Sequence, residues 1–172
     1  MPIIVLVVST LLFWGIYWFV RMGGIEHLRE QSARRRDEAR RAQARESERI
    51  APLRAIDDPR DAAAVLMLLI PRGGDPNPAQ IAAVQDRMRM VFGFERDLAE
   101  RLTQARFLAR RAQSFQEAAG LFSDLFNKRL TTGERRELVE MVEEIARIDG
   151  PSNGQTEGIE LLKGRIGLAP AR

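Results

Sequence analysis

The side chains able to do chemistry in this 172-residue chain are few in kind. Cysteine is absent, which removes disulfides, thiolate nucleophiles, iron–sulfur clusters and Cys-based zinc sites together. His27 is the sole histidine, so one chain can build neither a two-histidine metal site nor a Ser-His-Asp triad. Gly73-Gly74 is too short to cradle a phosphate and reads as a helix stop. What the chain has in quantity is guanidinium. All but two of its 27 basic residues, Lys128 and Lys163, are arginine, a planar cation that pairs with carboxylates, phosphates and anionic headgroups. Against 24 acids the formal net charge is only +3, too small an excess to argue for nucleic-acid binding by the chain as a whole.

These charges are unevenly placed. From Pro2 to Val20 the sequence carries none, and at about 1.5 Å per residue a helix over this stretch spans a bilayer's hydrocarbon core. Trp14, Tyr17 and Trp18 crowd its C-terminal third, where an aromatic belt meets the headgroups. A cleaved signal peptide would show basic side chains before the apolar run and small residues after it, and neither is present. The sequence therefore predicts a retained transmembrane anchor over residues 1–22, with residues 2–20 in the membrane. Residues 21–54 hold ten arginines, beginning with Arg21, against six acids. By the positive-inside rule the N-terminus is periplasmic and the rest of the chain cytoplasmic, at a bacterial inner membrane.

Residues 23–54 read as a charged helical connector. Gly23-Gly24 offers a hinge, and Ile25 to Ile50 then runs without Gly or Pro. Glu30 with Arg34 and Asp37 with Arg41 are acid-before-base pairs at the favoured spacing of four. Its apolar residues form no sustained heptad seam, so a coiled coil is not expected. The connector reads as a spacer and topology signal. The alternative is docking on anionic headgroups or an acidic partner through Arg34, Arg35, Arg36, Arg40 and Arg41, with Trp14, Tyr17, Trp18 and Arg21 completing the membrane contact. Six interleaved acids and no aromatic residue argue against a nucleic-acid stripe there.

Residues 55–172 carry 17 basic and 18 acidic side chains, so the positive charge belongs to the connector. Every long segment reads as helix, which predicts an all-α bundle of about six helices. Asp58-Pro59 opens a helix that includes nine successive apolar residues, Ala62 to Ile70, too short to cross a membrane and suited to a central position. Asn77-Pro78-Ala79-Gln80 caps a second helix that Gly93 ends. Leu98, Leu102, Ala105 and Ala109 mark a third. Ser114 to Glu117 forms a capping box for a fourth, with Phe115, Ala118, Phe122 and Phe126 on one face. Thr131 to Glu134 opens a fifth, bearing Leu138, Met141, Val142, Ile145 and Ile148, and a sixth covers about residues 156–166. Phe107, Phe115, Phe122 and Phe126 are expected in the core.

Two loops look alike. Ile70-Pro71-Arg72-Gly73-Gly74-Asp75-Pro76-Asn77 precedes a helix that ends in Phe92-Gly93-Phe94, and Ala146-Arg147-Ile148-Asp149-Gly150-Pro151-Ser152-Asn153 precedes one that ends in Ile166-Gly167-Leu168. Each reads as an apolar helix, a Gly-centred turn, an Asn cap and a short helix. This arrangement resembles the tellurite-resistance TerB-like helical domain, which is related to the N-terminal domain of membrane-anchored DjlA-type co-chaperones. The similarity covers about residues 58–168 and rests on Ile145 to Gly150, Glu157, Ile166-Gly167-Leu168 and the helix start Leu130 to Leu138. The J-domain's His-Pro-Asp tripeptide is absent, since Leu28 follows His27.

The resemblance implies a divalent cation at acidic turns, and the matching positions are Asp149 and Glu157, with Asp75 and Asn153 as helpers. The first loop has Gly73 where the family carries Asp, and Ala79 and Gln80 where acids are common. Two carboxylates eight residues apart fall short of the six to eight oxygens Ca²⁺ takes, so Asp149-Gly150 reads first as a helix-stopping turn and no cofactor is expected. The leading functional expectation is a non-enzymatic, membrane-anchored interaction protein presenting a TerB-like domain at the cytoplasmic face, with a role in stress response to tellurite implied by the family. The alternatives are an accessory subunit or assembly factor of an inner-membrane complex, such as a respiratory one, and a metal-dependent sensor or enzyme using Asp75, Asp149 and Glu157.

Overall fold

The computed structural model describes Trp14 and residues 24–71, 75–150 and 152–168, with residues 24–36 described as backbone alone. Every element of regular structure among the described residues is an α-helix: α1 Gly24–Arg54, α2 Pro59–Leu69, α3 Pro78–Met90, α4 Leu98–Ala109, α5 Phe115–Arg129, α6 Thr132–Arg147 and α7 Asn153–Arg165. The all-α expectation and the six helices after the connector are present. Among the described residues no helix is long and apolar enough to cross a membrane. The span expected over residues 2–20 lies outside them, except for Trp14, which is helical and exposed.

Two compact units divide the chain, Met1–Ser47 and Glu48–Arg172. In the first, α1 is helical from Gly24, and Arg40 and Arg41 are exposed. The second unit begins within the last two turns of α1. The helix continues through Pro52, since Leu53 is fully buried and Ile50 nearly so. Burying two such side chains contributes about 3–5 kcal/mol, enough to offset the missing proline N–H near a helix end.

α2 is the centre of the bundle and touches α3, α4, α5 and α6. The Asp58 carboxylate caps it by accepting from the Arg60 backbone N–H at 2.9 Å, and Pro59 takes the first helical position, where no N–H is needed. Ala62 through Leu68 are all buried, which explains an apolar run without helical periodicity. Around it pack Val84 and Met88 of α3, Leu102 and Leu108 of α4, Phe122 and Phe126 of α5, and Leu138, Val142 and Ile145 of α6. α7 closes against α5 and α6 with Ile159 and Leu162. Phe122 and Phe126 meet edge to face with centroids 6.2 Å apart.

Several expectations need correction. Phe107 is 54% exposed rather than core, since α4 turns Leu102, Ala105 and Ala109 inward and position 107 falls off that stripe. Ile148 lies just past the end of α6 and is exposed. The last helix starts at Asn153, three residues early, because its cap is Ser152 rather than Asn153. At α5 the capping box is half formed: Ser114 accepts from the Glu117 N–H at 3.1 Å, but the Glu117 carboxylate turns to the Gln113 N–H and to Arg49.

Candidate functional site

The two similar loops meet through their caps. Asn77 and Gln80 form a reciprocal box at the start of α3: the Asn77 Oδ1 accepts from the Gln80 N–H and the Gln80 Oε1 accepts from the Asn77 N–H, both at 2.9 Å. Ser152 and Gln155 repeat this at α7. A box of this kind uses only the amide oxygen of its glutamine. The remaining Nε2 of each glutamine crosses to the other loop. Gln80 donates to Asp149 Oδ2 at 2.8 Å, and Gln155 donates to the Ile70 carbonyl at 2.9 Å. Asn77 Nδ2 adds a bond to Asp149 Oδ1 at 2.7 Å. Both glutamines are buried, the only buried polar side chains among the described residues. Gly150 follows Asp149 with φ of 77°, so glycine is required for the turn that presents the carboxylate.

Asp149 spends both oxygens on amide donors. Asp75 is exposed at the rim of a separate cleft lined by Leu68, Pro76, Ile81, Arg106, Ala109 and Arg110. Glu157 and Asn153 are exposed on α7. Among the described residues no group of three or more His, Asp or Glu is placed to hold a metal ion. Of the membrane and partner candidates, Tyr17, Trp18 and Arg21 lie outside the described residues, as do the side chains of Arg34, Arg35 and Arg36.

Two polar clusters escape sequence reasoning. In one, Arg101 bonds Asp61 at 2.9 Å and Asp97 at 2.5 Å, and its guanidinium lies 4.2 Å from the centroid of the buried Phe94 ring. Arg60 lies 4.8 Å from the same ring and bonds Asp58. Partial burial by itself would raise the Asp58 carboxyl, but hydrogen bonds from Arg60 and the nearby Arg101 charge hold it below the usual carboxylate range. Hydrogen bonds donated to Asp97 and Asp61 push the Arg101 guanidinium pKa still higher. In the other cluster, Arg49 joins the end of α1 to the Glu117 carboxylate and the Arg111 carbonyl. The Arg49 hydrogen bonds hold Glu117 below the usual glutamate value, against the raising effect of burial. The Asp97–Arg101 spacing of four is visible in sequence, whereas Arg49 and Glu117 are 68 residues apart with nothing local to link them.

A depression of about 480 Å³ lies between α6 and α7, where Lys163 bridges Glu143 and Glu160 beside Val139 and Leu168. Its lining sets three carboxylates, Glu140, Glu143 and Glu160, against Arg136 and Lys163, so the arrangement offers shape and charge for contact. No protein-family model matches the chain, and neither a curated protein nor a solved structure matches it.

Proposed function

We propose that this chain is a non-enzymatic interaction protein, anchored in a bacterial inner membrane by residues 2–20 and presenting a TerB-like helical bundle at the cytoplasmic face. The observation that carries the reading is the abrupt change from an uncharged run, Pro2 to Val20, to a flank of ten arginines. The TerB-like part is supported by the short motifs at residues 145–150 and 166–168 and by an all-helical bundle whose two look-alike loops cap their helices the same way. A stress-related role, with tellurite as the implied agent, follows from that resemblance.

Affinity purification of the tagged full chain in mild detergent, followed by mass spectrometry, tests the reading. Recovery with protein partners at the membrane is the expected result. Stoichiometric recovery of one inner-membrane complex identifies the chain as an accessory subunit or assembly factor of it. Extraction in the soluble fraction without detergent defeats the anchor.

A further inference from the structure

From Arg101 to Gln116 the chain holds four arginines and no acid, whereas residues 55–172 as a whole carry 18 acids against 17 bases. Arg101 is consumed by Asp61 and Asp97. The other three, Arg106, Arg110 and Arg111, surround Phe107 on the outer face of α4 and its exit. Spacings of four place Arg106 with Arg110 and Phe107 with Arg111 on adjacent ladders of one surface. Phe107 is 54% exposed, and the Arg111 guanidinium stacks 4.7 Å from its ring centroid. The Arg106 and Arg110 side chains form no ion pair or hydrogen bond among the described residues, and they line the cleft floored by Leu68, Ile81 and Ala109. Asp75 is the one acid on that rim.

A solvated charged face does not need an exposed phenylalanine, and a buried core contact would have covered it. Cations flanking one large apolar side chain match the boundary between headgroups and acyl chains, where guanidinium meets phosphate and the ring enters the hydrocarbon edge. We infer that Arg106, Phe107, Arg110 and Arg111 form a peripheral membrane-contact site that binds the phosphates of anionic phospholipids. The inference rests on the membrane-anchored reading above and adds a second attachment point, through which the bundle itself lies on the lipid. Arg49, near the end of α1, donates to the Arg111 carbonyl at the same corner of the bundle. An anchor alone needs no such arrangement.

The absence of native cysteine allows one reporter to be placed cleanly. The full chain with an environment-sensitive fluorophore on Gln104→Cys, an exposed position one turn before Phe107, is reconstituted with vesicles of phosphatidylcholine, with or without phosphatidylglycerol. The expected result is blue-shifted emission only with phosphatidylglycerol, lost at high salt. Each arginine at an anionic surface gives about a fivefold preference, so R106Q/R110Q/R111Q should weaken the contact about a hundredfold. Phe107→Ser, which keeps every charge, should weaken it severalfold, and Arg110→Glu repeats the charge test at an exposed position. Identical emission in both vesicle types, or parent-like emission in all these variants, overturns the site. A shift produced by an RNA oligonucleotide and not by phosphatidylglycerol also overturns it. Flotation with pure phosphatidylcholine vesicles reads the anchor separately: its loss with the phosphatidylglycerol response intact removes the anchor and leaves the α4 contact standing.

Discussion

The Gln80 side-chain amide donates to the Asp149 carboxylate at 2.8 Å, joining two loops separated by 69 residues. With Gln155 bonded to the Ile70 carbonyl at 2.9 Å, each loop holds the other's capping glutamine. This explains why both boxes use Gln where Glu would cap equally well. A glutamate has no N–H to send across, and at position 80 it would place a buried carboxylate against Asp149. The same bond gives Asp149 a structural task, tying the end of α6 to the start of α3.

Gln80→Glu should therefore destabilise the bundle more than Gln80→Leu, which removes the bond without adding charge. Loss of a buried hydrogen bond costs about 1–3 kcal/mol, and the opposed carboxylate adds to it. Thermal melts of the full chain in detergent would read the difference. A double-mutant cycle with Asp149→Ala should give a coupling of about 1 kcal/mol for the Gln80–Asp149 pair, and a coupling near zero would dissociate the two loops.

Much of the fold was legible because its signals are local. Asp58-Pro59, Asn77 with Gln80 and Thr131 with Glu134 each act within one turn, and the structure caps α2, α3 and α6 with them. The unbroken apolar run from Ala62 marked the helix that packs on most of its neighbours. What failed were assignments that depend on the far side of the molecule. The Ser114–Glu117 pattern is a valid box, but Arg49 outcompetes the Ser114 N–H for the carboxylate. Phe107 looked like core because it is aromatic, although its position off the α4 stripe argued otherwise. The loop-to-loop bonds were hidden because sequence similarity between the two loops says nothing about whether they touch.

Glu117 makes stability depend on pH in a definite sense. Its folded carboxyl is held below the ordinary glutamate value of 4.5, chiefly by Arg49. The folded state thus binds this proton less tightly than the unfolded chain, and the contribution is complete above that value and lost as pH falls through the lower folded one. Charge-assisted bonds of this kind contribute about 1–2 kcal/mol at neutral pH. Glu117→Gln should melt lower than the parent at pH 7, and the gap should close as the solution is acidified below the ordinary glutamate value. A gap that stays constant with pH would place the cost in packing rather than in the Arg49 ion pair.

The phenylalanines divide sharply in their expected energetics. Phe122 is 2% exposed and Phe126 fully buried, so Phe122→Ala should cost about 3–5 kcal/mol through lost burial and the cavity left behind. Phe107→Ala should change stability by less than about 0.5 kcal/mol, as expected of an exposed side chain without structural partners in the core. Denaturant midpoints for the two variants measure this contrast directly. A large loss at Phe107 would return it to the core.

Two glycines of α7 should respond in opposite directions to the same substitution. At Gly164 an added methyl meets nothing within 4 Å, and alanine gains helix propensity and restricts the unfolded chain, so Gly164→Ala should stabilise by about 0.5–1 kcal/mol. At Gly158 the methyl would come within 3.0 Å of Phe115 Cδ1, a ring that is 6% exposed and has little room to retreat. There the overpacking cost of about 1–3 kcal/mol exceeds the propensity gain, and Gly158→Ala should lower the melting temperature. Pairing Gly158→Ala with Phe115→Leu, which removes the obstructing ring edge, should recover part of the loss relative to Phe115→Leu alone. Simple additivity of the two changes would show that α5 and α7 are not in contact at this point.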